Sequence, residues 1–186
     1  FDIKMDGKFT RKARLVADGH TTEAPSSITY SSVVSRDSVR IAFTIASLND
    51  LDVMACDIGN AYLNAPCREK LWTVAGAEFG SEVGAVMIIC RALYGLKSSG
   101  AAWRAKFADT LRSMGYQSME SDPDVWLRKD YKETGELYYK YILVYIDDVL
   151  HMYSKGNSDM DKIGLVYRLK DGSIAPPERY LGANID

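Results

Sequence analysis

Three aspartates have the residue type and the spacing to do chemistry. Asp147 and Asp148 stand side by side inside Tyr-Tyr-Lys-Tyr-Ile-Leu-Val-Tyr-Ile-Asp-Asp-Val-Leu-His-Met-Tyr-Ser, residues 138–154, and Asp57 closes the apolar run Leu51-Asp52-Val53-Met54-Ala55-Cys56-Asp57. Alone, an Asp-Asp pair between apolar stretches reads as the polar turn of a β-hairpin. A second acidic strand end changes that. If the strand ending at Asp57 lies beside the hairpin, Asp57, Asp147 and Asp148 converge at one edge of a sheet, with no lysine or arginine close in sequence to neutralise them. Carboxylates gathered away from water need a counter-ion. Mg²⁺ suits them: it prefers oxygen ligands, keeps several waters and is usually held by one or two carboxylates plus substrate phosphates. Two such ions can activate an attacking hydroxyl and stabilise a leaving oxygen in an in-line phosphoryl displacement. On spacing alone the residues point to metal-dependent phosphoryl or nucleotidyl transfer, with a two-metal nuclease almost as good a reading.

The elements that must position these acids follow from periodicity. Residues 138–154 exceed the usual strand length of about five or six, so the segment is predicted to fold back at the Asp pair. Lys8–Ala17 reads as a strand with Lys12, Arg14 and Val16 on one face, a stripe that either holds phosphates or guards a sheet edge. Asp18–Ser32 is loop. Val39, Ala42, Phe43 and Ala46 recur at helical spacing after a cap at Asp37 or Ser38. Leu51–Asp57 is a strand left sharply at Gly59, and Val83–Cys90 is another. Arg91–Gly100 leads into a helix whose Trp103, Phe107, Leu111 and Met114 share one face and which stops at Gly115. The start of that helix, beside Lys97 and Ser99, offers N–H groups to an anion. A short helix over Asp159–Lys170 and a last strand over Arg179–Asn184 complete an α+β domain, with helices packed on one face of an antiparallel sheet. His20 and His151 have no metal-like spacing and are placed at the surface.

Composition narrows the classes. With 186 residues, 47% of them hydrophobic, the chain can bury a core, and a net charge of −2 argues against gripping nucleic acid through overall positive charge. The cysteines Cys56, Cys67 and Cys90 are odd in number and without a Cys-x-x-Cys pair, against a disulfide framework or zinc site. No apolar run approaches the roughly twenty residues that span a bilayer, so a membrane role is not expected.

The blocks Lys12-Ala13-Arg14-Leu15-Val16, Asp57-Ile58-Gly59-Asn60-Ala61-Tyr62-Leu63-Asn64, Leu93-Tyr94-Gly95-Leu96-Lys97-Ser98-Ser99-Gly100-Ala101-Ala102-Trp103, Tyr145-Ile146-Asp147-Asp148 and Tyr180-Leu181-Gly182 occur in the order found in reverse transcriptases. The chain most resembles those of copia-type long-terminal-repeat retrotransposons, over essentially its whole length. The resemblance implies a fingers-and-palm polymerase within residues 1–186. The fingers-like parts would be roughly 1–50 and 67–92, the palm roughly 51–66 and 93–186, and the thumb largely absent. It implies RNA-directed DNA polymerase activity: two Mg²⁺ ions, with Mn²⁺ a possible substitute, held by Asp57, Asp147, Asp148 and the backbone carbonyl of Ile58, and the three aspartates as catalytic residues. Lys12, Arg14, Tyr62, Tyr94, Gly95 and Lys97 would bind the deoxynucleoside triphosphate, with Tyr62 as the gate against a ribose 2′-hydroxyl. Tyr145, Tyr180, Leu181 and Gly182 would bind the primer. Implied partners are an RNA or DNA template with its primer and the remainder of a polyprotein (thumb, RNase H, integrase), in the cytoplasm within virus-like particles. A decayed or domesticated domain that only binds nucleic acid is the non-enzymatic alternative.

Overall fold

The structure, a computed structural model, describes residues 2–3, 11–156, 158–170, 172–181 and 183–185, with side chains from residue 13 onward. Along the chain run β1 (Asp2–Ile3), β2 (Arg11–Lys12), α1 (Arg36–Leu48), β3 (Asp52–Asp57), a 3-10 turn (Ala61–Asn64), β4 (Trp72–Val74), a second 3-10 segment (Ala77–Glu82) and β5 (Val86–Ile88). Then come α2 (Ser99–Ser113), β6 (Gln117–Ser118), β7 (Val125–Tyr131), β8 (Leu137–Tyr145), β9 (Asp148–Tyr153), α3 (Met160–Val166), β10 (Arg179–Tyr180) and β11 (Ala183–Asn184). The chain divides into two compact units, the first Phe1–Ser31 with Tyr62–Lys106, the second Ser32–Ala61 with Phe107–Asp186.

The second unit is built on an antiparallel sheet in the order β3-β9-β8-β7-β6. Residues 138–154 do fold back: Tyr145 pairs with Asp148, leaving Ile146 and Asp147 as a two-residue loop. Side chains alternate across β9. On one face Leu150 and Met152 pack with Leu143, Val125 and Tyr180 against Val39, Ala42 and Ala46 of α1. Ser35, not Asp37 or Ser38, caps α1 by accepting from the Ser38 N–H at 3.1 Å, and Asp122 accepts from the Ser35 N–H and the Ser38 hydroxyl. On the opposite face His151, Ile142 and Trp126 share a row. Trp126 lies under the Arg112 guanidinium of α2 at 5.5 Å, and His151 meets Tyr116 and Asp159, which flank α2 and α3. Helices therefore cover both faces of the sheet, a correction to the one-faced arrangement expected.

β7 is the longest of the strands that periodicity missed. Its second half, Arg128-Lys129-Asp130-Tyr131, is charged on both faces, so the period-2 apolar signal fades. The expected last strand is instead a short hairpin of β10 and β11, with Leu181 at φ +46.

In the first unit β1 pairs with β2 and β4 with β5, all antiparallel. Of the strand expected over Lys8–Ala17, the described residues 11–17 are regular only at Arg11–Lys12. Val16 then makes an isolated parallel bridge to Tyr94, and the Ala17 N–H donates to the Tyr94 carbonyl at 2.7 Å. Gly95 makes this approach possible: at φ +91, any Cβ there would overlap the Ala17 carbonyl oxygen.

Candidate active site

β3 and β9 pair in the register Asp57↔Asp148, so two carboxylates stand directly opposite at the strand ends, and Asp147 belongs to the adjoining loop. The backbone fixes that corner. The Ile58 N–H donates to the Asp147 carbonyl and the Lys170 N–H to the Asp57 carbonyl, each at 2.9 Å, while the Gly59 N–H reaches the Arg168 carbonyl at 2.8 Å. β3 is thereby held on both edges. Ile146 adopts φ +58, a region a β-branched residue occupies only when its surroundings enforce it, at a cost of order 1–3 kcal/mol. The convergence expected from the sequence is present.

Opposed like charges repel, and the structure shows how the corner answers. Lys170 donates to Asp57 Oδ2 through a short contact, and its ammonium stands 3.9 Å from Asp147 Oδ2. No basic residue is close in sequence, as expected, but the fold brings one in: Lys170 follows α3, where nothing but its charge could have flagged it. Asp57 Oδ1 is buried without a hydrogen-bond partner among the described residues. Burial first, then Asp147 and Asp57, push the Asp148 carboxyl up to about 6, and Lys170 pulls it down. Among the described residues no three acid, histidine or cysteine side chains stand arranged to hold a metal ion between them. The oxygen donors a hard cation takes are nevertheless present: two carboxylates already share one ammonium, and a third has a pKa raised by burial and then by its two acidic neighbours. Mg²⁺ asks for no more than one or two carboxylates when phosphates supply the rest.

The expected primer residues gather near the acids. Tyr145 is half-buried opposite Asp148, and Tyr180 is buried in the α1 face of the core with Leu181 packed beside it. The Tyr180 hydroxyl has no hydrogen-bond partner among the described residues, and its pKa is raised by burial and then by Asp148 and Tyr145. Ile58 is fully buried. Gly182 lies outside the described residues.

The expected nucleotide residues cluster in the first unit. Arg14 is exposed and places its guanidinium 5.4 Å from the centre of the Tyr94 ring, and the Tyr94 and Tyr62 rings meet at 4.9 Å with a 39° tilt. Gly95 is used for the close approach to Ala17, and Lys97 donates to the Thr22 carbonyl at 2.8 Å. The anion site expected at the start of α2 is not open. Ser98 and Ser99 are buried, Ser99 Oγ donates to the Leu93 carbonyl, and Ser98 Oγ donates to Glu69 Oε2 at 2.7 Å, so a carboxylate already stands there. The Lys12 side chain lies outside the described residues.

Beneath the sheet, sequence reasoning missed a buried polar cluster. Asp159 Oδ2 accepts from Tyr116 at 2.9 Å, Arg128 at 2.8 Å and Lys140 at 3.2 Å, and Oδ1 accepts from Lys162 at 2.6 Å. His151, expected at the surface, is fully buried. Its Nδ1 accepts from the Asp159 N–H, so the ring proton sits on Nε2 and is donated to the Tyr116 oxygen. Burial holds this imidazole neutral, its pKa lowered to about 3. Lysine and aspartate inside a sheet signal nothing until their partners are known.

A carboxylate corner on a mostly antiparallel sheet flanked by helices defines the class: a mixed α/β domain with three acids gathered at one sheet corner. The family described as reverse transcriptase (RNA-dependent DNA polymerase) matches residues 2–186, and the chain belongs to that family. It is 29% identical over its full length to the retrovirus-related Pol polyprotein from transposon TNT 1-94 of Nicotiana tabacum, of which it covers 14%. To the Pol polyproteins of transposons RE1 and RE2 of Arabidopsis thaliana it is 29% and 28% identical over 78% and 80% of the chain, covering 10% of each. The resemblance to copia-type retrotransposons stands. The chain spans a seventh or less of these relatives. No solved structure matches it. No helix among the described residues is long and apolar enough to cross a membrane.

Proposed function

We propose that the chain is the catalytic portion of an RNA-directed DNA polymerase within a longer retrotransposon polyprotein, extending a primer 3′-hydroxyl with deoxynucleotides on an RNA or DNA template. The observation that carries this is the meeting of Asp57, Asp147 and Asp148 at one sheet corner in a chain of the reverse transcriptase family. Asp57, Asp147, Asp148 and the Ile58 carbonyl would hold two Mg²⁺ ions, with Mn²⁺ an acceptable substitute. Bound there, the ions would supply Lewis acidity to the primer hydroxyl and the triphosphate oxygens. Lys170 would give up its pairing with Asp57 and Asp147 to them. Lys12 and Arg14 hold the triphosphate, Tyr62 blocks a 2′-hydroxyl, and Tyr94, Gly95 and Lys97 line the nucleotide and template pocket. Tyr145, Tyr180, Leu181 and Gly182 orient the primer end. The protein's share is positioning and preorganised charge.

In this reading the second unit corresponds largely to a palm and the first to fingers. Thumb, RNase H and integrase belong to the remainder of the polyprotein, and the work takes place in cytoplasmic virus-like particles. The test is single-nucleotide extension of a primed RNA by the longer protein. Asp147→Asn is expected to cut incorporation about a hundredfold or more, the scale of removing one charge-stabilising group, with no fall in Tm. Unchanged incorporation would remove Asp147 from the site, and shortening of the primer would assign a nuclease.

A further inference from the structure

Two cysteines that look unrelated in sequence are neighbours. In the first unit the backbone around Ala65–Cys67 runs antiparallel to that around Cys90–Ala92. The Ala92 N–H donates to the Ala65 carbonyl at 3.0 Å, Pro66 bridges Arg91, and the Cys67 N–H donates to the Cys90 carbonyl at 3.0 Å. Cys67 and Cys90 therefore oppose each other on one rung. Opposed residues of an antiparallel pair project to the same side with Cα atoms about 4.5–5.5 Å apart, inside the roughly 4.4–6.8 Å a disulfide spans. Both thiols are free, Cys90 exposed and Cys67 half-buried, and both line one open 520 Å³ cavity with Glu69, Trp72 and Ile88.

Neither sulfur is held tightly. Cys67 Sγ reaches the Glu69 carbonyl at 3.6 Å and Glu69 Oε2 at 3.8 Å, and Cys90 Sγ reaches the Ile88 carbonyl at 3.8 Å, all weak S–H contacts. Cys56 differs: it is buried in the second unit, 2% exposed, where a peroxide does not reach it. An unreactive third thiol makes the pair selective.

We propose that Cys67 and Cys90 form a reversible oxidation site that closes a cross-strand disulfide in response to a peroxide. The exposed Cys90 sulfur attacks the peroxide: an S–O bond forms, the O–O bond breaks, and water leaves with the thiol proton. The Cys67 sulfur then attacks Cys90 Sγ: the S–S bond forms, the S–O bond breaks, and a second water carries away the second thiol proton. Two thiols are oxidised and one peroxide is reduced. The bond lies between the segment bearing Tyr62 and the segment bearing Tyr94, and it would tie the two together covalently. The proposal does not rest on the polymerase reading.

The test is treatment of the protein with a small excess of hydrogen peroxide, read by intact mass, thiol count and non-reducing peptide mapping. Free thiols are expected to fall from three to one with the loss of two hydrogens. One Cys67–Cys90 peptide should appear, Cys56 should still alkylate after denaturation, and dithiothreitol should restore all three. Cys90→Ser should abolish the linkage, and if that variant does not fold, the wild-type map decides alone. Sulfinic or sulfonic acid on Cys90 with Cys67 still free, or linkage through Cys56 or between chains, would overturn the proposal.

Discussion

Lys170 sets the terms on which the carboxylates can work. Its side chain is half exposed and pairs with Asp57 and Asp147, and exposed ion pairs are worth about 0–1 kcal/mol, so under the proposed function a divalent cation would displace it at little cost. Of the charges acting on Asp148 it is the one that lowers the pKa. Lys170→Met should therefore raise that pKa further above 6, a shift that carbon-13 NMR titration of the carboxyl would read. A value unchanged or lower would show that Lys170 does not govern the corner. The sign for stability follows. A carboxyl whose pKa is raised on folding stabilises the fold at acid pH, and that contribution is lost as pH rises through about 6, later still in the variant. In the first unit, Tyr62 leans on Tyr94, so its position depends on a neighbour as well as on its own backbone. Tyr62→Val should raise ribonucleotide incorporation relative to deoxynucleotide by about tenfold or more in kcat/KM, roughly 1.4 kcal/mol; equal discrimination in both proteins would remove the gate role.

The β8–β9 hairpin shows why a loop of two residues can be an active element. Ile146 at φ +58 is in a conformation that glycine adopts without strain, so the usual order of substitution reverses there. Ile146→Gly should unfold at higher denaturant than Ile146→Ala, by about 1 kcal/mol, and the opposite order would mean that the loop is not strained. Much at this scale was legible in the sequence. The fold-back next to the Asp pair, though at Ile146-Asp147 and so one residue earlier than expected, the strand ending at Asp57 and the helices around Val39 and Trp103 followed from apolar periodicity and turn chemistry. What escaped was long-range. Lys140 and Arg128 point into the sheet because Asp159 and Asp130 meet them there, and such inward charges erase the alternation that would have revealed β7. Lys170 against Asp57, His151 beside Tyr116 and Cys67 opposite Cys90 are likewise products of the fold, and no local pattern announces them.

Over the whole molecule the candidate residues divide by unit. The second unit brings Asp57, Asp147 and Asp148 together with Tyr145 and Tyr180, while the first gathers Arg14, Tyr62, Tyr94 and Lys97. The acidic overall balance is compatible with nucleotide chemistry if the positive charge arrives with a cation. The most direct measurement is a Mn²⁺ titration followed by electron paramagnetic resonance. Wild type should bind, Asp57→Asn and Asp147→Asn should each weaken binding about tenfold or more, and Asp52→Asn at the exposed start of β3 should bind as wild type does. Equal binding by all four proteins would contradict the claim that this corner is a cation site.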